Sequence, residues 1–118
     1  MAIRKADAVW EGDLRSGKGT MRLGSGAYQG AYSFASRFEE GKGTNPEELI
    51  AAAHAGCFTM KLSFNLSGAG FVPDNIDTGC DITFENGVVM LSHLTVKAKV
   101  PGIEAVKFNV LVADAKAN

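Results

Sequence analysis

The stretch GTNPEELIAAAHAGCFTM, residues 43–60, constrains the fold of this chain more than any other. Asn45 is a good N-cap, Pro46 suits the first helical turn, and Glu47 and Glu48 complement the positive end of a helix dipole. From Pro46 to about Leu66 nothing breaks the helix, and Ala51, Ala52, Ala53 and Ala55 favour it strongly. Alanine, glycine and serine line several of its faces, so neighbours can pack close. That pattern predicts a central, largely buried helix.

Around it the chain reads as strands. Gly-rich turns separate predicted strands near 4–11, 18–24 and 30–38. After Gly68-Ala69-Gly70 and the Pro73-Asp74-Asn75 turn come strands near 76–85 and 88–100, joined at Asn86-Gly87, a type I′ hairpin signal. His93, Thr95, Lys97 and Lys99 alternate with Leu94, Val96 and Ala98, giving one wet face. Pro101-Gly102 ends the strand, and a second helix is predicted from about Ile103 to Ala115, with Val106, Val110 and Ala113 on one stripe. The order β-β-β-α-β-β-α describes an α+β class, an antiparallel β-sheet packed with a long central helix, as one domain over 1–118.

Composition narrows the functions. A net charge of −1 offers no basic field for nucleic acid or anionic lipid. Residues 1–12 contain no apolar signal-peptide core, and no apolar run reaches the length of a membrane span. Cys57 and Cys80 lack metal-ligand spacing, and the two histidines do not cluster around them, so neither a metal nor another cofactor is expected. A cytoplasmic, reducing setting with two free thiols follows as the expectation.

Cys57 is the residue with the most chemical potential. Taken by itself it reads more readily as a small core hydrophobe than as a nucleophile, and both readings stay open. A reactive thiolate needs a helix N-terminus, a neighbouring cation or a metal. Eleven or so residues into its helix, Cys57 is out of reach of the dipole. His54 and Lys61, at i−3 and i+4, share roughly its face and could lend charge. Both also read as ordinary residues, one packing and one reaching for water.

The segment RFEEGKGTNPEELIAAAHAGCF, residues 37–58, resembles the signature of the OsmC/Ohr family, the osmotically inducible and organic-hydroperoxide-resistance proteins. The similarity extends through VWEGDLRSGKGT (9–20), AGFVPDNIDTGCDITFENG and KVPGIEAVKF, and the N-terminal hairpin and AAHAGCF favour the OsmC branch. The resemblance implies a thiol peroxidase of oxidative or osmotic stress defence that reduces organic hydroperoxides, and hydrogen peroxide in second place. Cys57 then matches the peroxidatic cysteine, Arg37 the activating arginine, and Glu47 the acid that orients it. The implied reductant is a dithiol, dihydrolipoamide or a lipoylated protein. The implied fold is an intertwined homodimer with two sites at the subunit interface.

Helix geometry bears on that implication. Glu47 and Cys57 are ten residues apart on one helix, about 15 Å along its axis. If both serve one site, Glu47, and Arg37 with it, come from a second copy of the chain. An apolar pocket is expected around the thiol; Phe34, Phe38, Phe58 and Met60 are the nearest candidates by sequence, but most of them read as ordinary core and none is placed in the site.

The chain departs from the family pattern in one respect. A resolving cysteine followed by proline normally comes shortly after the last helix, where this sequence reads LVADAKAN to Asn118. A closing strand also falls there, so an uncovered sheet edge is expected. Cys80 does not replace the resolving thiol by alignment and reads most simply as packing. A shortened chain is the favoured reading; resolution by an external thiol, or a non-catalytic or single-turnover redox-sensing dimer, remain as alternatives.

Overall fold

The computed structural model describes residues 2–117. Its elements are β1 (Ala6–Glu11), β2 (Lys18–Leu23), β3 (Gln29–Tyr32), α1 (Phe34–Phe38), α2 (Pro46–Gly68), β4 (Asn75–Glu85), β5 (Val88–Lys99) and α3 (Ala105–Ala117). They form two compact units, one up to Leu49 and one from Ile50 onward, with the boundary inside α2.

The first unit is an antiparallel three-stranded sheet, β1-β2-β3, followed by α1. Gly19 sits at its centre, opposite both Trp10 and Tyr32. A Cβ there would come within 2.6 Å of both aromatic rings, so only glycine lets them meet above the sheet, centroids 5.4 Å apart. The predicted third strand to residue 38 is corrected here: the strand stops at Tyr32 and Arg37 lies on a helix. Ser33 is the reason. Its side chain accepts from the Ser36 backbone N–H, while Ser36 Oγ accepts from the Ser33 N–H, a reciprocal cap that starts α1.

α2 begins as its sequence predicts. Asn45 Oδ1 accepts from the Glu48 N–H at 2.8 Å, and the Asn45 amide donates to the Ser36 carbonyl, tying the start of α2 to α1.

The second unit packs the rest of α2 and α3 on the β4-β5 hairpin. Asn86 and Gly87 both have positive φ, the requirement of the type I′ turn. Along β4 the even-numbered positions are half-buried and the odd ones exposed. Thr59 donates to Thr78 from helix to sheet. Phe58, Leu62, Leu66 and Ala115 form the core, with Leu62 and Leu66 wholly buried. The Asn65 amide donates to the Leu111 carbonyl and to Asp114, fixing α3 against α2.

Two expectations are revised here. α3 turns Phe108, Leu111, Val112 and Ala115 to the core, while the stripe of Val106, Val110 and Ala113 faces outward. Beyond Glu47 in its first turn, α2 is fully buried only along the 58-62-66 line; Ile50, Met60 and Phe64 are exposed.

Candidate active site

Arg37 and Glu47, ten residues apart and on different helices, meet in the first unit. Arg37 Nε donates to Glu47 Oε1 at 2.8 Å. Glu47 stands in the first turn of α2 with its side chain 10% exposed, whereas the arginine reaches further into solvent at 37%. The second carboxylate oxygen, Oε2, is buried with no hydrogen-bond partner among the described residues. Thr44 supports the same turn by donating to Glu48.

Arg37 also borders a cavity of about 230 Å³ lined by Trp10, Leu14, Tyr32, Ser33, Phe34 and Phe38. Its guanidinium lies 5.2 Å from the Phe38 ring centroid, and Arg15 lies 4.7 Å from that of Phe34. An apolar chamber edged by a fixed cation suits a molecule with a greasy body and a polar, oxygen-bearing end. Of the four apolar residues nearest the thiol or Arg37 in sequence, none of which the sequence alone assigns to a site, Phe34 and Phe38 line this chamber, which does not include Cys57. Phe58 belongs to the core, and Met60 lines an open cavity of about 690 Å³ with Gly56, Thr59 and residues 73–78. Trp10 and Tyr32 escaped sequence reasoning; a glycine facing two aromatic rings across adjacent strands is the signal that could have found them.

Cys57 lies in the second unit, on the exposed side of α2, and is a free thiol. The two neighbours that sequence offered as sources of charge have contacts of their own. His54 Nδ1 is hydrogen-bonded with Ser92 Oγ, and the Lys61 ammonium lies over the Phe64 ring.

The family described as OsmC-like protein matches residues 39–118. The chain belongs to the OsmC family. Its similarity to the peroxiredoxin OsmC of Escherichia coli K12 is 46% identity over 119 aligned residues, spanning 97% of this chain and 83% of that one. The peroxiredoxin OsmC of Shigella flexneri matches to the same extent. Among solved structures, this OsmC-family chain resembles an organic hydroperoxide resistance protein OsmC from Legionella pneumophila at a TM-score of 0.67. That match has 20% identity and covers 99% of this chain and 85% of that one. It also resembles OhrB of Bacillus subtilis at 0.63 and 21% identity, covering 96% and 84%. At such identities the solved structures establish the fold: the mixed α+β arrangement of antiparallel sheets and a long helix is that of OsmC and Ohr proteins.

Proposed function

We propose that this OsmC-family chain is a cysteine-based peroxidase that reduces organic hydroperoxides, and secondarily hydrogen peroxide, in stress defence. The relatives named peroxiredoxin OsmC support the reaction class. The observation that carries the assignment of residues is the 2.8 Å pairing of Arg37 with Glu47. A nearly buried carboxylate holds one edge of the guanidinium, which gives its planar fork a fixed bearing toward an anionic sulfur or a departing oxygen.

In the reaction, the Cys57 thiolate attacks the distal peroxide oxygen. The S–O bond forms as the O–O bond breaks, giving a sulfenic acid and an alkoxide that leaves as the alcohol once protonated. Arg37 stabilises the thiolate beforehand and the developing alkoxide afterwards. Glu47 acts through Arg37, as a positioning residue. A dithiol, of the dihydrolipoamide type, returns the sulfur to the thiol.

The working unit is a homodimer in which Cys57 of one copy meets the Arg37–Glu47 pair of the other. Along α2, Ile50, Ala53, Cys57, Met60 and Phe64 recur at alternating spacings of three and four, the pattern of a helix-pairing seam. All are exposed, Met60 at 77% and Phe64 at 69%. A solvent-facing apolar seam on a long helix fits a second copy of itself. Two free thiols fit a reducing, cytoplasmic setting. Among the described residues no helix is long and apolar enough to cross a membrane.

The test is to add cumene hydroperoxide and hydrogen peroxide in turn, trap sulfenic acid with dimedone, and follow peroxide loss with dihydrolipoamide as reductant. Stoichiometric labelling at Cys57 with turnover is expected. Labelling without turnover would favour the single-turnover sensor, and no labelling would remove the peroxidase reading.

A further inference from the structure

We infer that Cys80, with His54 and Ser92, forms a second peroxide-reactive thiol centre separate from Cys57. The proposal takes its oxidant class, a hydroperoxide, from the function proposed above. The three side chains come from three elements: α2, β4 and β5. Cys80 Sγ lies 3.3 Å from Ser92 Oγ and 3.7 Å from His54 Nδ1, and His54 Nδ1 lies 2.5 Å from Ser92 Oγ.

Placement sets Cys80 apart from a packing residue. It sits on the helix-facing side of β4, where the other positions are Ile76, Thr78, Ile82 and Phe84, and its register partner is Leu94. Into this mostly apolar layer α2 delivers an imidazole. A hydrogen bond with Ser92 already satisfies His54 Nδ1, so packing alone gives no reason for a thiol to share the same nitrogen. Cys80 is only half-buried and Ser92 is exposed, so a small oxidant can reach the sulfur.

The arrangement provides a proton path. A serine hydroxyl both donates and accepts, so Cys80 S–H can donate to Ser92 Oγ while Ser92 O–H donates to His54 Nδ1. On attack, Cys80 sulfur bonds to the distal oxygen of the hydroperoxide and the O–O bond breaks. Sulfur loses two electrons and the peroxide is reduced. The thiol proton moves through Ser92 to His54 and on to the leaving alkoxide, so one thiol and one hydroperoxide yield one sulfenic acid and one alcohol. His54 is the base and Ser92 the relay.

The experiment uses the full chain carrying Cys57→Ala, treated with cumene hydroperoxide or hydrogen peroxide in the presence of dimedone, with the rate of adduct formation read on the Cys80 peptide by mass spectrometry. Labelling is expected, and it should slow by at least about tenfold when His54→Gln is added, and measurably with Ser92→Ala. Alkylation by iodoacetamide should follow the same order. Ser92 is exposed, so its variant keeps the test usable if the His54 variant does not fold. Absence of label at Cys80, or a rate unchanged by the Ser92 and His54 variants or by unfolding in urea, overturns the proposal. A Cys80→Ser chain retaining Cys57 reports separately on the main site: its peroxidase activity can fail without touching this inference, and the reverse.

Discussion

Arg37 Nε donates to Glu47 Oε1 across 2.8 Å, joining a five-residue helix to the first turn of the longest helix in the chain. The carboxylate is nearly buried and the guanidinium is not, so the pair stands between a surface ion pair and a buried one. Glu47→Gln keeps an acceptor for Nε but removes the charge. Destabilisation of about 1–2 kcal/mol is expected from loss of the charged bond. The rate of Cys57 oxidation should fall by about 10–100-fold, because the guanidinium loses its fixed bearing. Arg37→Lys should lower the rate comparably with a smaller effect on stability, since an ammonium lacks the planar fork. Thermal unfolding and stopped-flow oxidation measure the two quantities, and an unchanged rate in both variants would take the pair out of the mechanism.

A second prediction concerns how Arg37 is held on its own side. α1 is too short to be stable by itself and depends on the reciprocal cap between Ser33 and Ser36. Ser33→Ala should cost about 1 kcal/mol. It should also reduce peroxidase activity through loss of order at Arg37. Ser33→Asp, which restores a capping oxygen, should recover both. Loss of stability without loss of activity would separate the cap from the site.

These two residues also mark where the sequence is legible and where it is not. The start of α2 is written locally: Asn45, Pro46 and two glutamates each act within one turn, and the structure uses Asn45 as its cap. The β4-β5 turn is equally local, with Asn86 and Gly87 both at positive φ. α1 is different. YSFASRF carries strand-forming aromatics, and its one helical signal is a serine pair whose effect appears only once the two side chains fold back on the backbone. The exposure of Val106 and Val110 had no local sign, because several stripes of α3 are apolar and tertiary packing chose among them. The Cys80 neighbourhood depends on an irregularity as well. Glu85 pairs with Val88, but from Thr83 back the register runs to Leu91, leaving Met90 as an extra residue on β5. Without that bulge, His93 would face Cys80; with it, His93 sits opposite Asp81 on the outer side and Ser92 joins the inner one. For Cys57, Arg37 and Glu47 it was the NPEEL-to-cysteine pattern, rather than the physics of any one residue, that singled them out.

The turn between β1 and β2 carries a pH-dependent bond. Asp13 Oδ1 accepts from Ser16 Oγ at 2.6 Å and from the Ser16 N–H at 2.7 Å. The side-chain bond first, and the backbone bond second, hold its carboxyl below its ordinary pKa. Because the folded value is depressed, this contribution is complete above the unfolded pKa, about 3.9, and is lost as pH falls through the folded one. A carboxyl titration by NMR should show the depressed midpoint, and Ser16→Ala should return it toward the ordinary value. An Asp13 midpoint that does not move in that variant would remove the Ser16 hydroxyl as the leading cause.

The seam on α2 can be broken without disturbing the core. Phe64 is 69% exposed in the single chain, so Phe64→Glu should leave the Phe58-Leu62-Leu66 packing intact. In a dimer paired through that helix it would bury a carboxylate in an apolar contact, at a cost of several kcal/mol. The expected outcome is a shift toward monomer by light scattering at micromolar concentration, with native helix content and little peroxidase activity. A fully active monomer would defeat the proposed assembly.

Sharing of the site between copies makes the sharpest prediction. Cys57→Ser and Arg37→Ala should each abolish most activity as homodimers. In a mixed dimer of the two variants, one site combines serine with alanine and is dead. The other combines the Cys57 of the Arg37→Ala copy with the Arg37 of the Cys57→Ser copy, and both of its groups are intact. Unfolding the two variants together and refolding them should therefore regenerate activity, up to about half of the wild-type value per mixed dimer. Sites built within one chain would give none, because every chain in the mixture lacks one of the two groups. Activity assayed as the mixing ratio is varied should peak at equal amounts, and a flat, inactive response would place Arg37 and Cys57 outside any shared site.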